Sequence, residues 1–337
     1  MTQEHNISRT GGFSARMLPT APDLAFREEG YYVWCGSMFR YHGKFYLAYS
    51  RWKKEYGFDG WVIHSEIALA RADSLLGAWT PLGKILPCGA PTDWDADCAH
   101  NPTVLQYGDT FYLYHMANHG DGTYWNHRNH QRIAVAWTKD PEGIWQKASD
   151  PVIDISPEGV DSLMTSNPTA AVGPDGQVLM VYKAVSKYGA MPKGGAVVCA
   201  AATAPHPLGP FTKFHEPIMV NPENDWSVED PFIWYEGQRF YALVKDFQGY
   251  FTQAQKGSTA LFVSADGRSW GPAAIPLAYD RVLDFGTSKL AVDNLERPQI
   301  YIEDGVPRVL LCAVRVHEGD DDTYNIRIPL QWEGGPL

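Results

Sequence analysis

A Pro-centred motif recurs five times along this chain at nearly constant spacing. The copies are Trp34-Cys35-Gly36-Ser37, His100-Asn101-Pro102-Thr103, Ser166-Asn167-Pro168-Thr169, Glu229-Asp230-Pro231-Phe232 and Glu296-Arg297-Pro298-Gln299. Taking Gly36, Asn101, Asn167, Asp230 and Arg297 as equivalent slots gives intervals of 65, 66, 63 and 67 residues. Self-similarity at a fixed period means repeated supersecondary units. Residues 1–337 therefore read as one domain of five units, starting near residues 34, 100, 166, 229 and 296.

Each motif opens an apolar run, a tight polar turn and a second aromatic-rich run, as in SMFRYHGKFYLAYS and FIWYEGQRFYALVK. The turns HG, GD, PDG, EG and EDG supply the positive φ that a hairpin reversal requires. A second strand pair follows in the first four units, as in IAVAWTKDPEGIWQKA. Four antiparallel strands per unit, five units and no helical periodicity describe an all-β fold, a five-bladed β-propeller. The fifth unit ends weakly at YNIRIPLQ. An N-terminal segment near residues 12 to 18 is expected to complete that blade and close the ring, leaving no exposed edge. A solenoid is the alternative, but its end units should look like caps.

Composition narrows the partners. A net charge of -11 argues against nucleic acid and anionic membrane surfaces, which need a basic footprint. The start, MTQEHNISRTGG, has no apolar leader pattern and no apolar run is long enough to span a bilayer, so a cytoplasmic location is expected. The cysteines Cys35, Cys88, Cys98, Cys199 and Cys312 are odd in number and form no CxxC pair, so reduced, buried thiols are expected rather than disulfides or a zinc site. With 12 Trp, 18 Tyr and 14 Phe the chain has rings enough for both a core and a lined binding surface.

In an up-and-down blade the motif, the end of strand 2 and the loop from strand 2 to strand 3 share one face. The strand 2 ends carry Arg51, His115, Lys183, Lys245 and Arg315, a ring suited to an anionic ligand or to holding carboxylates ionised, although each also reads as a structural ion pair. The following loops hold Trp52, Tyr56, Phe58, Trp61, Tyr124, Trp125, Tyr188, Phe247, Tyr250 and Phe251. Rings beside scattered polar groups suit a pyranose, whose C–H face stacks while its hydroxyls take hydrogen bonds. His64 and His130 occupy equivalent positions before strand 3, either as ligand contacts or as hydrogen-bonding residues of the loop.

Glycosidic cleavage needs one carboxylic acid and one carboxylate facing the scissile bond. Asp230 sits in a pre-Pro slot, where extended geometry would aim it at the channel. Glu229 precedes it, Glu296 follows one blade later, and Glu66 ends His64-Ser65-Glu66. Asp230 is assigned as base or nucleophile and Glu296 as acid, with Glu66 the rival for the second role. His100, Asn101, Asn167, Glu229 and Arg297 join them as substrate contacts. Asp93, Asp95 and Asp225 read better as turn caps.

At these residues the chain resembles the five-bladed propeller glycoside hydrolases, the superfamily of family 43 arabinosidases and xylosidases, family 32 fructosidases and family 117 neoagarooligosaccharide hydrolases. The resemblance runs through all five motifs and implies a glycosidase with a carbohydrate substrate. Family 43 carries its base Asp before Pro in the first blade; Cys35-Gly36-Ser37 fills that slot here, so the assignment does not transfer. VEDPFIW is similar to the Glu-Asp-Pro motif of the family 130 mannoside phosphorylases, whose cationic residues hold phosphate. Calcium sits in some related channels, but no ligand spacing argues for it here, and no metal or cofactor is expected. Three functions follow: an exo-acting glycosidase on a short, anionic or anhydro oligosaccharide, a phosphorylase, and a non-catalytic sugar-binding propeller. Loop 118–130, NHGDGTYWNHRNH, would act as a lid or reach a neighbouring copy in a homo-oligomer. Sugar, linkage and stereochemistry stay open.

Overall fold

A computed structural model describes residues 11–87 and 89–332. Blade 1 consists of strands Tyr31–Tyr41, Lys44–Lys53, Glu66–Ala72 and Thr80–Lys84, and blade 2 of Cys98–Tyr107, Thr110–Asn118, Arg132–Thr138 and Gln146–Lys147. Blade 3 runs through Met164–Val172, Val178–Val185, Val197–Ala204 and Thr212–Lys213, and blade 4 through Val228–Glu236, Arg239–Asp246, Ser258–Ser264 and Gly271–Tyr279. Blade 5 contains Asn294–Glu303, Val306–Arg315 and Thr323–Pro329. All pairings within the blades are antiparallel, and a small hairpin, Val282–Asp284 with Lys289–Ala291, links blades 4 and 5.

The turns follow the sequence. Between Tyr41 and Lys44, His42 and Gly43 both take positive φ, as do Asp304 and Gly305 between Glu303 and Val306. That is the two-residue reversal whose twist matches the strands. The strands themselves are buried on both faces, because neighbouring blades pack against each other. Leu47 and Tyr49 of blade 1 meet Val309 and Leu311 of blade 5 on one side, while Tyr46 and Leu69 meet Phe111 and Leu113 of blade 2 on the other. The same arrangement joins blades 2 to 3, 3 to 4 and 4 to 5. The core is thus five wedges between sheets, and Cys199 and Cys312 fill space in two of them.

Ring closure differs in detail from the expectation. The outer strand of blade 5 is Ala25–Phe26, paired with Asn325 and Ile326, not the segment at 12 to 18. That earlier segment forms a 3-10 turn, Phe13–Arg16, which drives Phe13 among Trp234, Tyr279 and Trp332, and adds one bridge from Met17 to Leu330. It plugs the wedge between blades 4 and 5. Among the described residues helix is confined to short pieces. Trp61–His64 and Tyr124–Asn129 lie in the loops between strands 2 and 3 of blades 1 and 2, and no helix is long and apolar enough to cross a membrane.

Candidate active site

In every blade the register between strands 1 and 2 slips at the motif. The residue at the slip has left-handed φ: 44° at Cys35, 58° at Asn101, 51° at Asn167, 57° at Asp230 and 54° at Arg297. Two expectations change as a result. The slot in blade 1 belongs to Cys35, not Gly36, and the pre-Pro residues are left-handed rather than extended. This conformation is uncommon outside Gly, Asn and Asp, so Cys35 and Arg297 are strained positions held by their surroundings.

The five slot side chains close a ring around the axis. Cys35 Sγ donates to Asn101 Oδ1 (2.6 Å), Asn101 Nδ2 to Asn167 Oδ1 (2.5 Å), and Asn167 Nδ2 to Asp230 Oδ1 (2.6 Å). Arg297 donates to the same Asp230 oxygen at 3.2 Å and also interacts electrostatically with Cys35. All five are buried. Over this floor lies a cavity of about 210 Å³. Trp34, Trp52, Phe58 and Trp61 wall one side, and His100 stacks on Trp61 with ring centres 4.9 Å apart. A hydrogen bond of 2.7 Å to Ser65 Oγ fixes the His100 ring.

The opposite wall is charged. Lys183 Nζ donates to Glu229 at 2.7 Å, while Lys245 Nζ reaches Glu229 at 3.3 Å and Glu296 at 2.5 Å. The Glu229 and Glu296 oxygens that share Lys245 therefore stand no more than 5.8 Å apart, the sum of the two distances. Asn294 Nδ2 adds a hydrogen bond of 2.7 Å to Glu296. Burial opposes a charged Glu229, but Lys183 and Lys245 outweigh it and hold the carboxyl near a pKa of about 2. Asp230 moves the other way. Burial, then the negative charge of Glu229, push it up to about 6, with Glu296 adding and Arg297 and Lys245 opposing. Two neighbouring carboxyls thus separate into one ionised group and one that keeps its proton close to neutrality. Lys245 stays charged, since Glu296, Glu229 and Asp230 overcome its burial. His100 is neutral because burial, and next Arg297, disfavour the imidazolium.

Nine expected site residues converge on this cavity: Asp230, Glu296, Glu229, His100, Asn101, Asn167, Arg297, Lys183 and Lys245. The other expected residues lie elsewhere, and register explains the failure of the cationic ring. Lys183 and Lys245 stand directly across from Ser166 and Glu229, the residues before the slot. The corresponding positions in blades 1, 2 and 5 are Ser50, Met116 and Ala313. Arg51 and His115 are each one residue off, which turns them to the other face of the sheet, and Arg315 is two residues further along. Arg51 pairs with Glu28 and Glu66 instead. Glu66, His64 and His115 line a separate side cavity between blades 1 and 2, so Glu66 does not face the axis. His64 stacks on Tyr56 there. His130 lies in an outer groove with His119 and Arg132, and Trp125 sits edge-on to Tyr124 outside the central cavity. Sequence reasoning missed Gln131 and Asn294 as cavity residues because neither belongs to a repeated motif. Among the described residues no cluster of three or more His, Cys, Asp or Glu has the arrangement of a metal site.

No family model and no curated protein matches the sequence. Solved structures do match along nearly the whole chain. Zg3597, a family 117 glycoside hydrolase of the marine bacterium Zobellia galactanivorans, superposes with a TM-score of 0.67 at 17% identity, over 95% of this chain and 91% of that one. A thermostable family-43 glycoside hydrolase gives 0.65 at 15% identity over 95% of both chains. The Bacillus subtilis arabinanase Arb43A gives 0.62 at 14% identity over 91% and 96%. At these identities the likeness establishes the architecture: the chain has the five-bladed propeller fold on which glycoside hydrolases of families 117 and 43 are built.

Proposed function

We propose that the chain is a glycoside hydrolase that removes one sugar at a time from a short oligosaccharide in the central cavity. The observation that carries this reading is that Asp230 and Glu296 open onto one ring-walled cavity, in which burial and the charge of Glu229 push the Asp230 carboxyl up to about 6. A cavity of about 210 Å³ is smaller than the roughly 300 Å³ where drug-sized pockets begin, which suits a single terminal residue. The roles first assigned to the two acids exchange. Asp230 gives its proton to the glycosidic oxygen as the C–O bond breaks, and the leaving sugar departs as an alcohol. Glu296, whose oxygen already engages Lys245 and Asn294, is the carboxylate that meets the anomeric carbon or the incoming water. Water supplies the new hydroxyl. Glu229 touches both lysines and, after burial, is the next cause that raises the Asp230 carboxyl.

Leaving-group dependence tests the assignment. On a panel of alkyl glycosides, Asp230→Asn should lose about 10²- to 10⁴-fold in kcat/KM, and far less on dinitrophenyl glycosides, whose leaving group needs no proton. Glu296→Gln should impair both. Equal losses on both substrate types in Asp230→Asn would remove the acid role. Phosphorolysis has one observation behind it, the Nε and second terminal nitrogen of Arg297, which are buried with no hydrogen-bond partner among the described residues. Turnover that requires inorganic phosphate and releases a sugar 1-phosphate would establish it in place of hydrolysis.

A further inference from the structure

Beside the central cavity, and sharing Phe58 and Asn294 with it, opens a second hollow of about 530 Å³. Two arginines point into it from different elements, Arg281 from the turn after blade 4 and Arg315 from the end of strand 2 of blade 5. Among the described residues neither guanidinium has a carboxylate at ion-pair distance. Arg281 donates one terminal nitrogen to the Asp293 carbonyl (2.6 Å), and its Nε is buried without any partner. Arg315 donates Nε to the Asp320 carbonyl (3.1 Å) and lies 4.1 Å over the Phe58 ring, leaving both terminal nitrogens free of hydrogen bonds.

The acids of the hollow, Asp59, Asp293 and Glu318, are all exposed at its rim, whereas Arg315 is only 9% exposed. One of these carboxylates is already engaged, Asp293 Oδ2 accepting from the Glu318 amide at 2.6 Å. Water solvates the anions, whereas Arg315 is buried and Arg281 half-buried. A guanidinium held this way lacks its counter-ion, and its planar fork of donors matches a carboxylate or a sulfate ester. Stacking on Phe58 fixes the orientation of that fork before anything binds. Asn294 bonds Glu296, so the hollow begins one side chain from the reacting carboxylates.

We propose that Arg281 and Arg315 form a subsite for the anionic group of the sugar next to the scissile bond, making the substrate an acidic oligosaccharide. This subsite rests on the hydrolase reading only for its purpose, not for its existence. Inorganic sulfate and acetate are probes that need no knowledge of the sugar. Titrated into the full chain at constant ionic strength, at least one should bind saturably and should compete with a uronide or sugar sulfate. Sulfate binding favours a sulfate ester, and acetate binding a uronic acid. Arg281→Gln and Arg315→Gln together should weaken that binding 10-fold or more, and Arg281→Gln alone, at the more exposed site, should weaken it in a chain that still folds. Anion affinity unchanged in both Arg281→Gln and the double variant, or no saturable binding at all, overturns the subsite. If anions bind through the arginines but no glycoside is turned over, the hydrolase reading fails and the subsite stands. If neutral glycosides turn over at rates the arginine variants leave unchanged, the reverse holds.

Discussion

The central cavity and the side cavity between blades 1 and 2 are built from the same kinds of side chain, yet they distribute charge differently. In the side cavity the acids are paired off locally: Glu66 has Arg51 and Lys84, Asp95 has Lys147, and Asp97 bonds His119. At the axis, charges are shared. Glu229 takes both lysines, Glu296 shares Lys245 with it, and Asp230 rests on the buried Arg297. Pairing off balances each charge locally, whereas at the axis burial of Asp230, with the charge of Glu229 beside it, outweighs Arg297 and raises its carboxyl. The catalysis proposed for the axis rests on that difference rather than on the mere presence of acids and histidines.

The largest losses are expected at the axis, where Asp230→Asn and Glu296→Gln should each cost about 10²- to 10⁴-fold in activity. Glu229→Gln comes next. Removing the charge that raises Asp230 lowers its pKa, so the alkaline limb of the rate profile should move to lower pH, by about one unit or more, with a smaller change at the acidic optimum. A profile of unchanged shape would show that Glu229 serves only to hold the lysines. Leu47→Ala, in the wedge between blades 5 and 1, should cost about 2–5 kcal/mol in denaturant unfolding while leaving KM near its original value. The smallest effect belongs to Glu66→Gln. Arg51 keeps Glu28, so activity should stay within about twofold and stability within about 1 kcal/mol; a large loss of kcat would return Glu66 to the catalytic group.

The fold was legible because period and turn chemistry agree in every unit, from His42-Gly43 to Asp304-Gly305. Much of the site was legible for the same reason, since the motif sits at the same bulge in each blade. What escaped depends on single-residue register. Arg51 and His115 fall one position from Lys183 and Lys245 in the pairing, a difference that hydrophobic pattern does not record. Cys35 was passed over for Gly36 because the first motif lacks the proline that marks the slot elsewhere. The Arg281 and Arg315 hollow has no motif at all, being assembled from a turn, a strand end and the Phe58 loop of blade 1, which the closed ring brings in.

Whether Asp230 still carries a proton near neutrality can be tested without a substrate. With carboxyl-13C aspartate in the full chain, the resonance that disappears in Asp230→Asn should titrate with a midpoint of about 6, and the midpoint should fall in Glu229→Gln. A midpoint at or below the ordinary aspartate value of about 4, unmoved by Glu229→Gln, would contradict the account.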